Sequence, residues 1–124
     1  NFDCVVIGPE QFLVNGLADQ LRGLGVNVFG PDQVGAQLEG SKVFAKEFMV
    51  RAQVPTADFV VVDDVAGTLK AAEKFAPPYV LKADGLAAGK GVSICRTMAE
   101  LKSAAEDLFD KRIFGEAGQR ALLE

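Results

Sequence analysis

The chain has 124 residues, 49% of them apolar, with 13 basic and 17 acidic side chains for a net charge of −4. That composition supports a buried core and argues against wholesale disorder, and an acidic balance without a basic cluster disfavours nucleic-acid binding through counterion release. With no histidine, Ser–His–Asp, Cys–His and most zinc chemistries are excluded within this segment, and no apolar run approaches the ~18 residues that span a membrane.

The first apolar run, Asp3–Ile7, ends at Gly8-Pro9 and reads as a buried strand. Leu13, Leu17, Leu21 and Leu24 follow at helical spacing and predict one inward face, stopped by Gly23 and Gly25. Val26–Phe29 is a second strand, ended by Gly30-Pro31. Strand, helix, strand at this spacing is a βαβ unit and implies parallel strands. Their carboxyl ends, Gly8–Glu10 and Gly30–Asp32, would then line one rim, where ligands gather in open α/β sheets, unless Gly-Pro merely terminates each strand.

Ser41 caps a predicted helix with Phe44, Phe48 and Ala52 on one face, stopped by Val54-Pro55. Asp58–Asp63 reads as a strand, and Asp64 caps a helix with Val65, Leu69, Ala72 and Phe75 as its stripe. Ala76-Pro77-Pro78 breaks that helix before strand Tyr79–Ala83. Beyond a glycine-rich stretch come strand Val92–Arg96 and a helix opened by a Thr97/Glu100 capping box, with Met98, Leu101, Ala105 and Leu108 inward. A turn at Gly115–Gly118 leads into a last strand, Ala121–Glu124. The order is βαβα in the first third, then α-β-α-β-loop-β-α-β. Cys4 and Cys95 each sit inside an apolar run and read as two buried, reduced thiols of a cytosolic protein.

The glycine-rich stretch is "KADGLAAGKGVS", Lys82–Ser93. Only three residues separate Gly85 from Gly89, and Gly91 rather than Ser or Thr follows Lys90, so it departs from the P-loop pattern. A P-loop joins a strand to a helix, whereas here a strand follows. The stretch is therefore a hairpin with an eight-residue tip: Asp84, Gly85, Leu86, Ala87, Ala88, Gly89, Lys90 and Gly91. Small residues leave such a tip nothing to pack, and it can close over a polyphosphate with its amides and Lys90. Lys82, in an otherwise apolar strand, needs either a surface position or an anionic or polar partner. Lys42, just after a helix N-cap, opposes the helix dipole unless it is simply solvated. Lys42, Lys82 and Lys90 converging on one anion would account for all three.

The stretches "QLEGSKVFAKEFMVRAQVPT", "VLKADGLAAGKGVSIC" and "FGEAG…LLE", with "VVIGPE" and "NGLADQLRGLGVNVFGP" before them, resemble the phosphoribosylamine–glycine ligases of the ATP-grasp superfamily over nearly the whole chain. The resemblance implies an α/β fold: the second half of a Rossmann-like pre-ATP-grasp domain in residues 1–40, then the small lobe of an ATP-grasp fold in residues 41–124. It implies ATP-dependent ligation of glycine to 5-phosphoribosylamine in the cytoplasm, with neither nucleic acid nor membrane as partner. By matching motifs, Lys42 would approach the ATP phosphates, Lys82 the phosphate and adenine region, and Gly85–Gly91 would be the lid over the triphosphate. Glu124 matches the first of two adjacent glutamates at the hinge holding adenine. Gly8, Pro9 and Glu10 match the rim of the phosphoribosylamine site, although Gln11-Phe12-Leu13 stands where Ala-Pro-Leu is expected.

The chain opens without Met and stops inside an apolar run, so it reads as an excerpt from a longer polypeptide. The Mg2+ or Mn2+ that accompanies ATP would find its ligands downstream of Glu124, and the segment alone is expected to be inactive. Two other readings stay open: another ATP-grasp ligase or carboxylase, and a non-catalytic nucleotide-binding module.

Overall fold

The computed structural model describes residues 2–86 and 91–124. The first unit is the predicted parallel pair. Strand β1 (Val5–Val6) pairs with β2 (Val28–Phe29), with Val5 opposite Val28. The leucine-spaced segment between them is two helices rather than one, α1 (Glu10–Val14) and α2 (Leu17–Gly23). Gly16 breaks it at φ +81°, in the left-handed region that glycine enters without penalty. The break turns Leu13 into the core and leaves Leu24, expected inward, 79% exposed. Helix α3 (Gln33–Gly40) follows, with Asp32 as N-cap accepting from Gly35 N–H. Leu13, Ala18 and Ala36 form this unit's small core.

Ser41 ends α3 and caps α4 (Lys42–Arg51), its hydroxyl accepting from Phe44 N–H. Gln53 then takes a left-handed conformation, and Val54 N–H returns to Met49 O ahead of Pro55. The cap is as expected, but the buried face is not. Val43 packs inward while Phe48 is 42% exposed and Ala52 is also exposed, because the side of α4 facing the second unit carries Val43 and Lys46.

The second unit is an antiparallel sheet of β3 (Val60–Val62), β4 (Tyr79–Ala83), β5 (Val92–Cys95) and β6 (Ala121–Leu123), in the order β3-β6-β4-β5. Its pleat separates two faces. Tyr79, Leu81, Ala83, Cys95, Ala121, Leu123 and Val62 form one core with α5 (Val65–Ala72) and α6 (Met98–Ala105). Asp64 caps α5 and Thr97 caps α6, as the sequence predicts. The reciprocal arm of the α6 box is shifted by one residue: Glu100 accepts from Arg96 N–H, 2.7 Å away. Leu101, Ala105 and Leu108 pack inward, but Met98, expected with them, is 42% exposed. A π turn, Glu106–Asp110, continues α6, and a 3-10 turn at Gly115–Gly118 precedes β6. Cys95 is buried, whereas Cys4 is exposed, since β1 is an edge whose neighbourhood leaves it open. No helix among the described residues is long and apolar enough to cross a membrane.

Candidate functional site

The opposite face of the sheet positions the site. Lys82 stands opposite Leu122 and Val92 in the ladder, and Val80 exchanges both backbone hydrogen bonds with Glu124. Val80, Lys82, Leu122 and Glu124 therefore share the face turned away from the α5/α6 core. Helix α4 crosses this face, and between them lies a cleft of about 480 Å³. Lys42, Lys46 and Lys82 line it, with Ala45, Met49, Leu122 and Val92 as apolar surface and Gly85 and Leu86 at the root of the hairpin tip. Glu10 and Glu39 of the first unit complete its wall. The mix suits a ligand with an apolar, ring-sized part and an anionic end. A larger groove of about 750 Å³ near Val54 and Phe59 has Lys74 as its one cation among the described residues.

Lys82 has the anionic partner its strand position demands. Its Nζ donates to Glu124 Oε2 at 2.6 Å, and Glu124 Oε1 lies 2.6 Å from Lys46 Nζ in an ion pair without a directed hydrogen bond. Burial pushes the Glu124 carboxyl up, but the ammonium groups of Lys46 and Lys82 set against it outweigh that and hold the group below its ordinary value. Lys42 Nζ donates to the carbonyls of Ala83 (2.9 Å) and Gly85 (3.1 Å). A lysine opposing its own helix dipole thus gains two acceptors where β4 gives way to the hairpin tip.

Asp84 is the fixed post of that tip. Its Oδ1 accepts from Ser41 Oγ (2.9 Å) and Val43 N–H (3.2 Å), its Oδ2 accepts from Arg120 Nη2 (2.9 Å), and its own N–H donates to Arg120 O. With both carboxylate oxygens engaged by protein and only 9% of the residue exposed, Asp84 ties α4, β4 and the approach to β6 together. At the other end of the tip, Gly91 O accepts from Ala83 N–H at 2.7 Å. The hairpin is thereby closed at both ends. Ala87, Ala88, Gly89 and Lys90, the middle of the expected lid, lie outside the described residues.

Gly8, Pro9 and Glu10 follow β1, and Gly30–Asp32 follow β2, so parallel pairing brings both to one end of that sheet. Of these, Glu10 reaches the lysine cleft. Two participants escaped the sequence reading, Lys46 and Arg120. The signal for Lys46 was available: it sits four residues after Lys42, hence on the same helical face. Arg120 carries no comparable signal, because its partner Asp84 is distant in sequence. Among the described residues, no group of three or more His, Cys, Asp or Glu side chains gathers to hold a metal ion.

Residues 1–39 match the model of the phosphoribosylglycinamide synthetase N domain, and residues 40–124 match that of the phosphoribosylglycinamide synthetase ATP-grasp (A) domain. A phosphoribosylamine–glycine ligase of Pseudomonas putida is 44% identical over 124 residues, covering all of this chain and 29% of the relative. The crystal structure of the Thermotoga maritima phosphoribosylamine–glycine ligase superposes with a TM-score of 0.78 at 37% identity, covering 96% of this chain and 28% of that one. The biotin carboxylase domain of the Hydrogenobacter thermophilus 2-oxoglutarate carboxylase, solved with MgADP, ADP and bicarbonate, superposes with a TM-score of 0.82 at 28% identity, covering 98% of this chain and 28% of that one. The chain thus spans under a third of the length of these relatives.

Proposed function

Since the chain belongs to the phosphoribosylglycinamide synthetase family, we propose that it supplies the ATP-binding elements of an enzyme that ligates glycine to 5-phosphoribosylamine. The convergence of Lys42, Lys46 and Lys82 on one cleft at the root of a glycine-rich hairpin carries this reading. Residues 1–40 would belong to a substrate-binding domain and residues 41–124 to the start of the ATP-grasp domain. The two separate hydrophobic cores support that division.

In this reading the adenine lies against Leu122, Met49 and Val92, near Glu124. Lys82 and Lys42 turn to the phosphates, and Gly85–Gly91 covers them. A glycine carboxylate oxygen attacks the γ-phosphorus, ADP leaves, and the acyl phosphate forms. The amine of phosphoribosylamine then attacks the acyl carbon, loses a proton and expels inorganic phosphate. The chemistry asks this segment for fixed positive charge around the transferring phosphoryl group and for no histidine base. The divalent metal that escorts ATP would be held by residues outside 1–124, and no step here depends on its geometry. Gly8, Pro9 and Glu10 would face the phosphoribosylamine, and Glu10 at the wall of the ATP cleft supports that assignment.

The superposition on a biotin carboxylase domain favours one second reading, an ATP-grasp carboxylase with another acyl donor. Full-length enzyme assayed for ADP release separates the two. We expect turnover that requires both glycine and phosphoribosylamine. Turnover with bicarbonate or formate in place of glycine would overturn the assignment.

A further inference from the structure

The two lysines that share Glu124 are held very differently. Lys46 Nζ is surrounded by three oxygens: Thr56 Oγ1 at 2.6 Å, Ala57 O at 3.1 Å and Glu124 Oε1 at 2.6 Å. It also stands 5.5 Å from the centre of the Phe59 ring, within cation–π range. Its side chain is 13% exposed. Two of its three donors go to Thr56 and Ala57 and its charge is paired with Glu124, so Lys46 is fixed from three directions. Lys82, in contrast, has Glu124 as its one partner among the described residues, is 27% exposed, and faces the cleft. It can exchange partners at low cost to itself.

The cost falls on Glu124. Its side chain is 13% exposed, and a carboxylate left there without a cation would bear a large desolvation penalty. We propose that Lys46 is a positioning residue: it keeps the Glu124 carboxylate fixed and neutralised when Lys82 turns from it to a nucleotide phosphate. This rests on the nucleotide-binding reading of the cleft. Lys46 contacts neither phosphate nor reacting atoms. It frees Lys82 to do so, since one counter-ion remains when the other leaves.

The arrangement makes a prediction about protons. In the parent, Glu124 stays ionised with or without nucleotide, because Lys46 remains in place. Without Lys46, release of Lys82 would leave Glu124 without any counter-ion, and the carboxylate would take up a proton as nucleotide binds. Among the described residues, the cations facing Glu124 are Lys46 from α4 and Lys82 from β4, while Lys42, Glu39 and Glu10 line the same cleft without pairing to it.

The test is calorimetric titration of the full-length enzyme with ADP and magnesium, in buffers of different ionisation enthalpy, near about pH 6 and again at neutral pH. Comparing variants with the parent cancels the proton carried by ADP itself. We expect Lys46→Met to bind about tenfold more weakly at neutral pH and to take up an extra fraction of a proton under acid conditions. Lys46→Arg should restore the parent's affinity and proton count. In a Glu124→Gln background, Lys46→Met should add no proton uptake. Should the methionine variant fail to fold, Lys46→Gln keeps a donor for Thr56 and Ala57 and takes its place. Parent-like affinity and proton count in the variant would overturn the proposal, as would an affinity loss without extra uptake, which a merely structural role would give. A parent enzyme that gives no binding heat with ADP would overturn the nucleotide reading itself.

Discussion

Glu124 and Asp84 are carboxylates with opposite settings. Asp84 is bound through both oxygens by Ser41, Val43 and Arg120 and serves as a rivet, whereas Glu124 is held by two lysines, one fixed and one exchangeable. Because the lysines hold Glu124 below its ordinary value of 4.5, its contribution to stability is present above that value and is lost as pH falls through the depressed folded value. Glu124→Gln should therefore lower stability by roughly 2 kcal/mol at neutral pH. In urea unfolding across pH 3 to 7, the deficit should shrink towards the acid end. A deficit that stays constant with pH would mean that shape, not charge, is what Glu124 supplies. Lys82 was legible at this scale because a charge in an apolar strand demands a partner. Lys46 carried only its spacing from Lys42 as a signal, and its pairing with Glu124 was not legible, because the end of β6 meets it only in the fold.

At the scale of elements, local chemistry was the readable part. Ser41, Asp64 and Thr97 cap the helices they were expected to cap, since a cap bonds only two or three residues ahead. Stripes fared worse. Phe44, Phe48 and Ala52 are spaced like a core face, yet α4 turns Val43 and Lys46 to its neighbour, a choice set by a charge partner that periodicity does not register. The helix break at Gly16 was missed for a related reason: leucine spacing carries across it. The α3/α1 contact offers a direct check. A Cβ on Gly40 would come within 2.7 Å of Val14 Cγ2 and 3.1 Å of Cγ1. Alanine improves helix propensity by up to ~1 kcal/mol, but the overlap costs roughly 1–3 kcal/mol because Val14 is short, branched and unable to swing away. Gly40→Ala should therefore lower the unfolding midpoint, and a raised midpoint would show that α1 yields freely.

At the scale of the whole molecule, the parallel β1–β2 pair and the β4–β5 hairpin follow from the order and spacing of neighbouring elements, and both are present. What sequence order conceals is that β6, last in the chain, inserts between β3 and β4. That insertion brings Glu124 to Lys82 and Arg120 to Asp84, and so assembles the site from the two ends of residues 41–124. Lys42 and Lys82 were visible as anomalies, but the cleft that unites them with Lys46 was not, because it is bounded by elements far apart in sequence. In the proposed reading this cleft holds the phosphates of ATP. That binding is tested most directly by titrating full-length Lys82→Met with ATP beside the parent while following thermal unfolding of each. We expect an affinity loss of about tenfold or more with the fold intact. Parent-like affinity in the variant would contradict it.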